Sequence, residues 1–212
     1  MLVIVFVFLA AWAPACPQPL AAAAVTALKL ETQAVKGDWD EIVARGTIRV
    51  VVPYSRSLYF NDRGTHMGLT AEAIREFEQW LKKKYKTRSR PITVLATPTT
   101  RDRLLTNLRN GRAEIAAGNL TITAERLKLV DFTLPVRDNV SEIVVMNKAD
   151  PALASLDELA GLEVHVRKTS SYYESLRGLN ERFRQLRKPQ MKLTLVPDEL
   201  EDEDMMEMLA AD

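Results

Sequence analysis

One cysteine, Cys16, in 212 residues leaves no partner for an intrachain disulfide. The two histidines, His66 and His165, stand far apart with no cysteine beside them, so the ligand spacing of a metal site is missing. Charge of one sign is also missing: 29 basic and 28 acidic residues leave a formal net charge of +1. That balance produces no field to draw the chain onto a polyanion. No basic stripe with interleaved aromatics is present, so nucleic-acid binding is not expected. There is no glycine-rich phosphate loop and no G-x-S-x-G elbow. We expect no metal and no cofactor. No internal repeat is seen, and after residue 27 no apolar run is long enough to span a bilayer, which needs about 20 helical residues.

The first residues differ from the rest. Leu2 to Trp12 form an apolar run without a charge, followed by small residues, prolines and the run Ala21 to Ala24. A short apolar region ahead of small-x-small sites reads as a secretory signal peptide, residues 1–27, with cleavage after Ala24 or Ala27. Met1 leads straight into the apolar run, so the usual basic start is absent. Cys16, in Ala13-Pro14-Ala15-Cys16, faintly resembles a lipoprotein cleavage box, although the proline and the lack of leucine argue against it. Lipidation there would tie the chain to a membrane; otherwise the cysteine leaves with the leader.

What remains is an alternation of strand and helix patterns. A polar lead-in, 28–45, precedes the β-branched run Ile48 to Val52. The loop Tyr54 to Gly68 follows. Thr70 then caps a helix with Ile74, Phe77 and Leu81 inward and Lys82 to Lys84 at its end. Ile92 to Ala96 is a strand, Arg101 to Asn110 a helix closed by Gly111, and Glu114 to Ala117 a short buried strand. This rhythm predicts an α/β domain with a parallel sheet, and ligands in such sheets bind beyond the carboxyl ends of the strands. The segment after Ala117 is therefore the candidate site.

A second unit begins with the β-rich run Ser141 to Met146. Ser155-Leu156-Asp157-Glu158 reads as a capping box opening a helix that ends at Gly161. Leu162, Val164 and Val166 alternate as a strand, with His165 facing out. Ser171-Tyr172-Tyr173-Glu174 reads as another capping box, ahead of the stripe Leu176, Leu179, Phe183 and Leu186. Met191, Leu193 and Leu195 alternate again. The acidic run 199–204 suits a solvated helix start before Met205. Since this unit ends on a helix, its sheet is expected to be unfinished within the sequence.

A ligand carboxylate needs a fixed planar cation, which arginine supplies with two parallel N–H donors. Arg126 follows small polar residues at a strand end. Its position alone leaves two readings open: a carboxylate grip, or a surface arginine paired with Glu125 or Asp131.

The segment Leu108 to Arg126, with Gly111, Glu114 and Thr123, and its continuation Val130-Asp131-Phe132-Thr133-Leu134-Pro135, resemble the signature of the family 3 bacterial solute-binding proteins. The resemblance covers about residues 45–212, with Gly46 to Val52, Gly68 and Leu156 to Val166 in matching order. It implies a two-lobed fold of the type II periplasmic binding protein kind, truncated within the second lobe. Lobe 1 would be 46–138, without its C-terminal return segment, and lobe 2 the incomplete 139–212. Within the family, Tyr59-Phe60, Asp62, Gly118 to Thr123, Ser170 to Leu176, Leu179-Asn180 and Leu200 to Leu209 are similar to the binding module of lytic murein transglycosylase F.

By that resemblance Arg126 grips the ligand carboxylate and Gly118, Asn119 and Thr121 bond the ligand. Thr169, Ser170 and Ser171 contribute from the second lobe at a helix N-terminus, where free N–H groups favour anions. Tyr59, ahead of Tyr54 and Phe60, covers the ligand. The late acidic residue that holds the ligand ammonium group in amino-acid-binding members would fall after Asp212. Glu174-Ser175 is similar to the glutamate–serine pair of lytic transglycosylases without the pattern that follows it, so Glu174 is read as the capping glutamate and no catalytic residue is expected. The expected function is that of a periplasmic module recognising a small amino-acid-like or peptide-like ligand, as the sensing part of a transglycosylase F-like protein. The alternatives are the receptor of an amino-acid ABC transporter, and a fragment of a murein-cleaving enzyme without its catalytic domain. The expected partners are the ligand and either a C-terminal transglycosylase domain or an ABC permease.

Overall fold

The computed structural model describes Ala34, residues 37–85 and residues 91–211. The expected leader, residues 1–27 with Cys16, lies outside the described residues.

The expected polar lead-in contains a helix, α1 (Trp39–Arg45), with Trp39, Ile42 and Val43 on one face against the first core. Asp38 and Glu41 form its capping box, and Gly46 (φ 70°) closes it. β1 (Thr47–Pro53) follows and is buried along nearly its whole length. The loop expected between Tyr54 and Gly68 contains a hairpin, β2 (Phe60–Asp62) and β3 (Thr65–Met67), paired antiparallel. Positive φ at both Arg63 (49°) and Gly64 (88°) suits the two-residue turn that matches strand twist.

α2 (Leu69–Tyr85) begins one residue before its expected cap. Thr70 is buried in the first turn, and the Gly68 carbonyl accepts the Glu72 N–H at 3.0 Å. Gly68 has φ 107°, and a Cβ there would meet the Leu58 carbonyl oxygen at 2.4 Å, so only glycine fits. β4 (Thr93–Thr99), α3 (Arg103–Arg109) and β5 (Ile115–Ala116) complete the first sheet, in the order β4-β1-β5. All pairs are parallel, with Thr47 opposite Thr93 and Val50 opposite Ile115. The alternation along β1 sorts the core: Ile48, Val50 and Val52 pack with Ala71 and Leu81 of α2, whereas Val51 packs with Leu104 of α3.

After β5 the chain runs irregularly, apart from α4 (Ala124–Leu127), as far as a 3-10 turn at Leu156–Leu159. The run Ser141 to Met146 forms no strand. Ile143, Val144 and Val145 are exposed, and no hydrogen-bonded neighbour meets them among the described residues. β-propensity without a pairing strand yields no sheet. The Ser155 capping box is not made either: the Glu158 carboxylate accepts the Ala154 N–H, leaving a 3-10 turn instead of an α-helix.

β6 (Glu163–Arg167), α5 (Ser171–Gln185) and β7 (Lys192–Val196) form a second parallel pair with its crossover helix, and α6 (Asp202–Ala211) follows. Phe183, Leu159 and Met191 make this unit's core, with Leu176 and Leu179 packed on it. Leu186 and Leu195, expected inside, are about half exposed. Among the described residues no helix is long and apolar enough to cross a membrane.

Candidate functional site

The ends of β5 and β6 and the start of α6 converge on a cavity of about 330 Å³. β5 is short because Gly118 follows it in a tight approach: a Cβ there would lie 2.5 Å from Pro53 Cδ. Asn119 then takes φ 51°, a left-handed conformation uncommon outside glycine, and turns the chain along the cavity wall with Leu120 and Thr121. Thr123 caps α4, its hydroxyl accepting the Arg126 N–H, which sets Arg126 in the only turn of that helix.

Arg126 is 8% exposed and lines the cavity. Its Nη1 donates to the Thr121 carbonyl at 3.0 Å and its Nη2 to the Thr169 carbonyl at 3.1 Å. Its nearest carboxylate, Glu174, stands 3.8 Å from Nε, outside hydrogen-bond reach. Burial lowers the guanidinium's pKa, Glu174 opposes that shift, and Arg101 adds to it; arginine stays charged regardless. Neither Glu125 nor Asp131 pairs with it: Glu125 takes Lys128.

From the second sheet come Ser170 and Ser171, both buried. The cap of α5 sits one residue earlier than the capping-box pattern suggested. Ser170, not Ser171, is the N-cap, accepting the Tyr173 N–H, because the Ser170 N–H is already turned onto the Arg167 carbonyl. Two consequences follow. The Ser171 hydroxyl is released to donate to Thr121 Oγ1 at 3.2 Å. Glu174, no longer the capping glutamate, faces Arg126.

The cavity thus brings together Asn119, Thr121, Arg126, Ser170 and Ser171. Gly118 and Thr169 stand behind it: their carbonyls accept from Arg101 and Arg126, and the Thr169 hydroxyl donates to Asp198. Tyr59 is not a cover. It is 2% exposed in the first core, with its ring 5.1 Å from that of His66. The Ser55–Tyr59 bridge turns it inward, and Tyr54 remains exposed outside the cavity lining.

The largest departure concerns the acidic run. Glu201 is 4% exposed and accepts Arg101 Nε at 3.0 Å. Asp202 pairs with Arg167, whose side chain is buried. Glu203 Oε1 accepts from the Ser55 hydroxyl at 2.6 Å and from Ser57 N–H at 3.2 Å. These carboxylates line the cavity and are not a solvated helix start. Charge clustering alone could not reveal this; the signal lay in Arg101 and Arg167, cations at an element start and a buried strand end. Burial would raise the Glu203 pKa, but the bonds from Ser55 and Ser57 outweigh it and the net shift is downward. Glu203 is therefore an anion at neutral pH with no cation paired to it among the described residues. Tyr172, on the rim, is raised by burial and by Asp202. Among the described residues no cluster of His, Cys, Asp and Glu fits a metal ion.

Two parallel α/β sheets with a charged cleft between them define a periplasmic binding protein fold of type II, and solved structures share it. An ancestral amino acid-binding protein, a precursor of cyclohexadienyl dehydratase, is 25% identical with a TM-score of 0.56, over 79% of this chain and 67% of its own. The substrate-binding protein of an amino acid ABC transporter from Streptococcus pneumoniae, bound to L-arginine, is 18% identical with a TM-score of 0.57, over 80% and 65%. The chain belongs to the bacterial extracellular solute-binding proteins, family 3, whose profile matches residues 46–195. A membrane-bound lytic murein transglycosylase F from Methylobacillus flagellatus is 26% identical over 150 residues, covering 71% of this chain and 29% of its own length. The L-cystine-binding protein TcyJ from Escherichia coli is 26% identical over 160 residues, covering 74% and 57%. The chain therefore spans under a third of that transglycosylase.

Proposed function

We propose that the chain binds a small zwitterion, an amino acid or short peptide, with Arg126 taking the carboxylate and Glu203 the ammonium group. One observation carries this reading. Of the charged groups in the cavity, Arg101 and Glu201 neutralise each other, as do Arg167 and Asp202. That leaves Arg126, whose ionic neighbour Glu174 stands 3.8 Å from Nε, outside hydrogen-bond reach, and Glu203, which accepts from hydroxyls and an N–H and has no cation paired to it among the described residues. A buried guanidinium and a half-buried carboxylate left this way in a cleft call for a complementary guest. Asn119, Thr121, Ser170 and Ser171 supply the polar lining, and Leu120 and Met206 the apolar part. Glu203 thus fills the role expected of a residue beyond Asp212. In this proposal residues 46–138 and 139–212 act as two lobes that close on the ligand, after an exported leader directs the chain to the periplasm.

Titration calorimetry with L-amino acids, dipeptides and muropeptides should show saturable heat. Arg126→Ala should cost about 2–5 kcal/mol, roughly 30-fold or more in Kd. Unchanged affinity would remove Arg126 from the site.

We favour a transglycosylase F-like parent, in which this module senses a cell-wall peptide. The segments that carry that resemblance, Ser170 to Leu176 and Leu200 to Leu209, supply cavity walls through Ser170, Ser171, Tyr172, Asp202, Glu203 and Met206. The identity to TcyJ supports the other reading, a receptor for an amino-acid importer. Sequencing the reading frame and its neighbours separates them: a transglycosylase domain in frame supports the first, adjacent permease genes the second. The chain alone should release no glycan from peptidoglycan.

A further inference from the structure

The two parallel sheets share little apolar surface among the described residues. The buried cluster residues around β1 come from the first sheet and its helices, whereas those around Phe183 come only from the second unit. What joins them is polar. Glu201 holds Arg101, at the start of α3. Glu203 holds Ser55 and Ser57, in the turn after β1. In that same turn Arg56 pairs with Asp204 and with Glu207, each at 2.9 Å. Every one of these partners lies in the first unit, whereas α6 follows β7 of the second. The same helix start is anchored at home by Asp202, on Arg167 of β6.

We infer that the acidic start of α6 is an ionic latch that holds the cleft shut over its cavity. An apolar interface would resist opening, because its area must be returned to water. Ion pairs and hydroxyl–carboxylate bonds at a wet seam exchange for water at small net cost, so such a closure is readily reversible. The inner pairs, on Arg101 and Arg167, are buried and set the register of α6. The outer pair is exposed: the Arg56 side chain is 53% exposed and lies outside the cavity lining. Binding affinity then depends on the fraction of molecules already closed. Residues that touch no ligand thereby tune it. This inference rests on the cleft reading above, but its test needs no ligand.

Spin labels at Asp62→Cys, in the hairpin, and Arg184→Cys, on α5, in a Cys16→Ser background of the full chain, report the separation of the two units by double electron–electron resonance. At about 0.05 M salt one narrow distance is expected. At about 1 M salt, where the Debye length falls to roughly 3 Å, a longer population should grow. Arg56→Gln should raise that population roughly three-fold at low salt, as expected for losing two exposed ion pairs, while circular dichroism stays unchanged. An Asp38→Asn control, which alters α1 and touches neither α6 nor the seam, should leave the distances as they were. Distances that ignore both salt and Arg56→Gln would overturn the latch. Failure of Arg126→Ala to weaken ligand binding would instead overturn the clamp and leave the latch standing.

Discussion

Arg126 commits two of its N–H groups to backbone carbonyls, one from each side of the cavity. This fixes the plane of the guanidinium, so a carboxylate meets a preorganised fork with less side-chain ordering to be done on binding. Gly118 is as constrained by contact as Arg126 is by bonding. Its carbonyl accepts from Arg101, and a methyl group there would lie 2.5 Å from Pro53 Cδ and 2.7 Å from Cγ. A proline ring in a buried strand cannot turn aside, so Gly118→Ala should push Asn119 and Thr121 out of line. We expect about 1–3 kcal/mol of destabilisation by chemical denaturation, the usual range for overpacking. A variant as stable as the parent would show that the wall is softer than this geometry implies. The importance of Arg126 was legible in the sequence through the motif around it. That of Glu203 was not, because an acidic run reads the same whether its residues face water or a cavity.

Helices and strands were read well where apolar periodicity was dense and poorly where one polar residue decided the outcome. β1 followed from its β-branched run, β6 and β7 from alternation, and the stripes of α2 and α5 from a period of 3.6 residues, with Leu186 and Leu195 the exceptions. α1 was missed although Trp39, Ile42 and Val43 stand at helical spacing behind a capping box, because this seven-residue stretch lies within what read as a polar lead-in. Ser141 to Met146 failed as a strand because propensity names no pairing partner. The start of α5 slipped by one residue, since Ser170 and Ser171 are equally good caps in sequence; the turn onto the Arg167 carbonyl chooses Ser170. The two serines should therefore behave differently. Ser170→Ala removes the cap bond to Tyr173 and should cost about 1 kcal/mol of stability. Ser171→Ala removes only the bond to Thr121, leaving the melting temperature nearly unchanged while altering ligand binding. Equal losses of stability in both variants would refute the cap assignment.

On the scale of the whole molecule, carboxylates held by cations and N–H groups tie distant elements together, and this makes the fold sensitive to acid. Glu114, at the start of β5, binds Arg45 at the end of α1 at 2.9 Å and accepts the Arg49 N–H of β1 at 2.7 Å. Burial would raise its pKa, but the bonds from Arg49 and the charge of Arg45 bring it below its ordinary value of 4.5. Glu78, held by Lys82 and the Val94 N–H, and Glu203 shift the same way. For a group with a depressed folded pKa, the stabilisation is complete above the unfolded value and is lost as pH falls through the folded one. The melting temperature should therefore change little from neutral pH down to about 5.5, because nearly all carboxylates remain ionised there. It should then fall steeply below about 4.5, as the unfolded chain takes up protons that the folded one refuses. Glu114→Gln should melt lower at neutral pH, since the buried Arg49 side chain would lose the charged acceptor that its Nε reaches at 3.1 Å and its Nη2 at 2.5 Å. The same variant should also lose less with acid, one titrating group having been removed. Parallel acid limbs for variant and parent would mean that Glu114 does not couple α1, β1 and β5 as its bonds indicate.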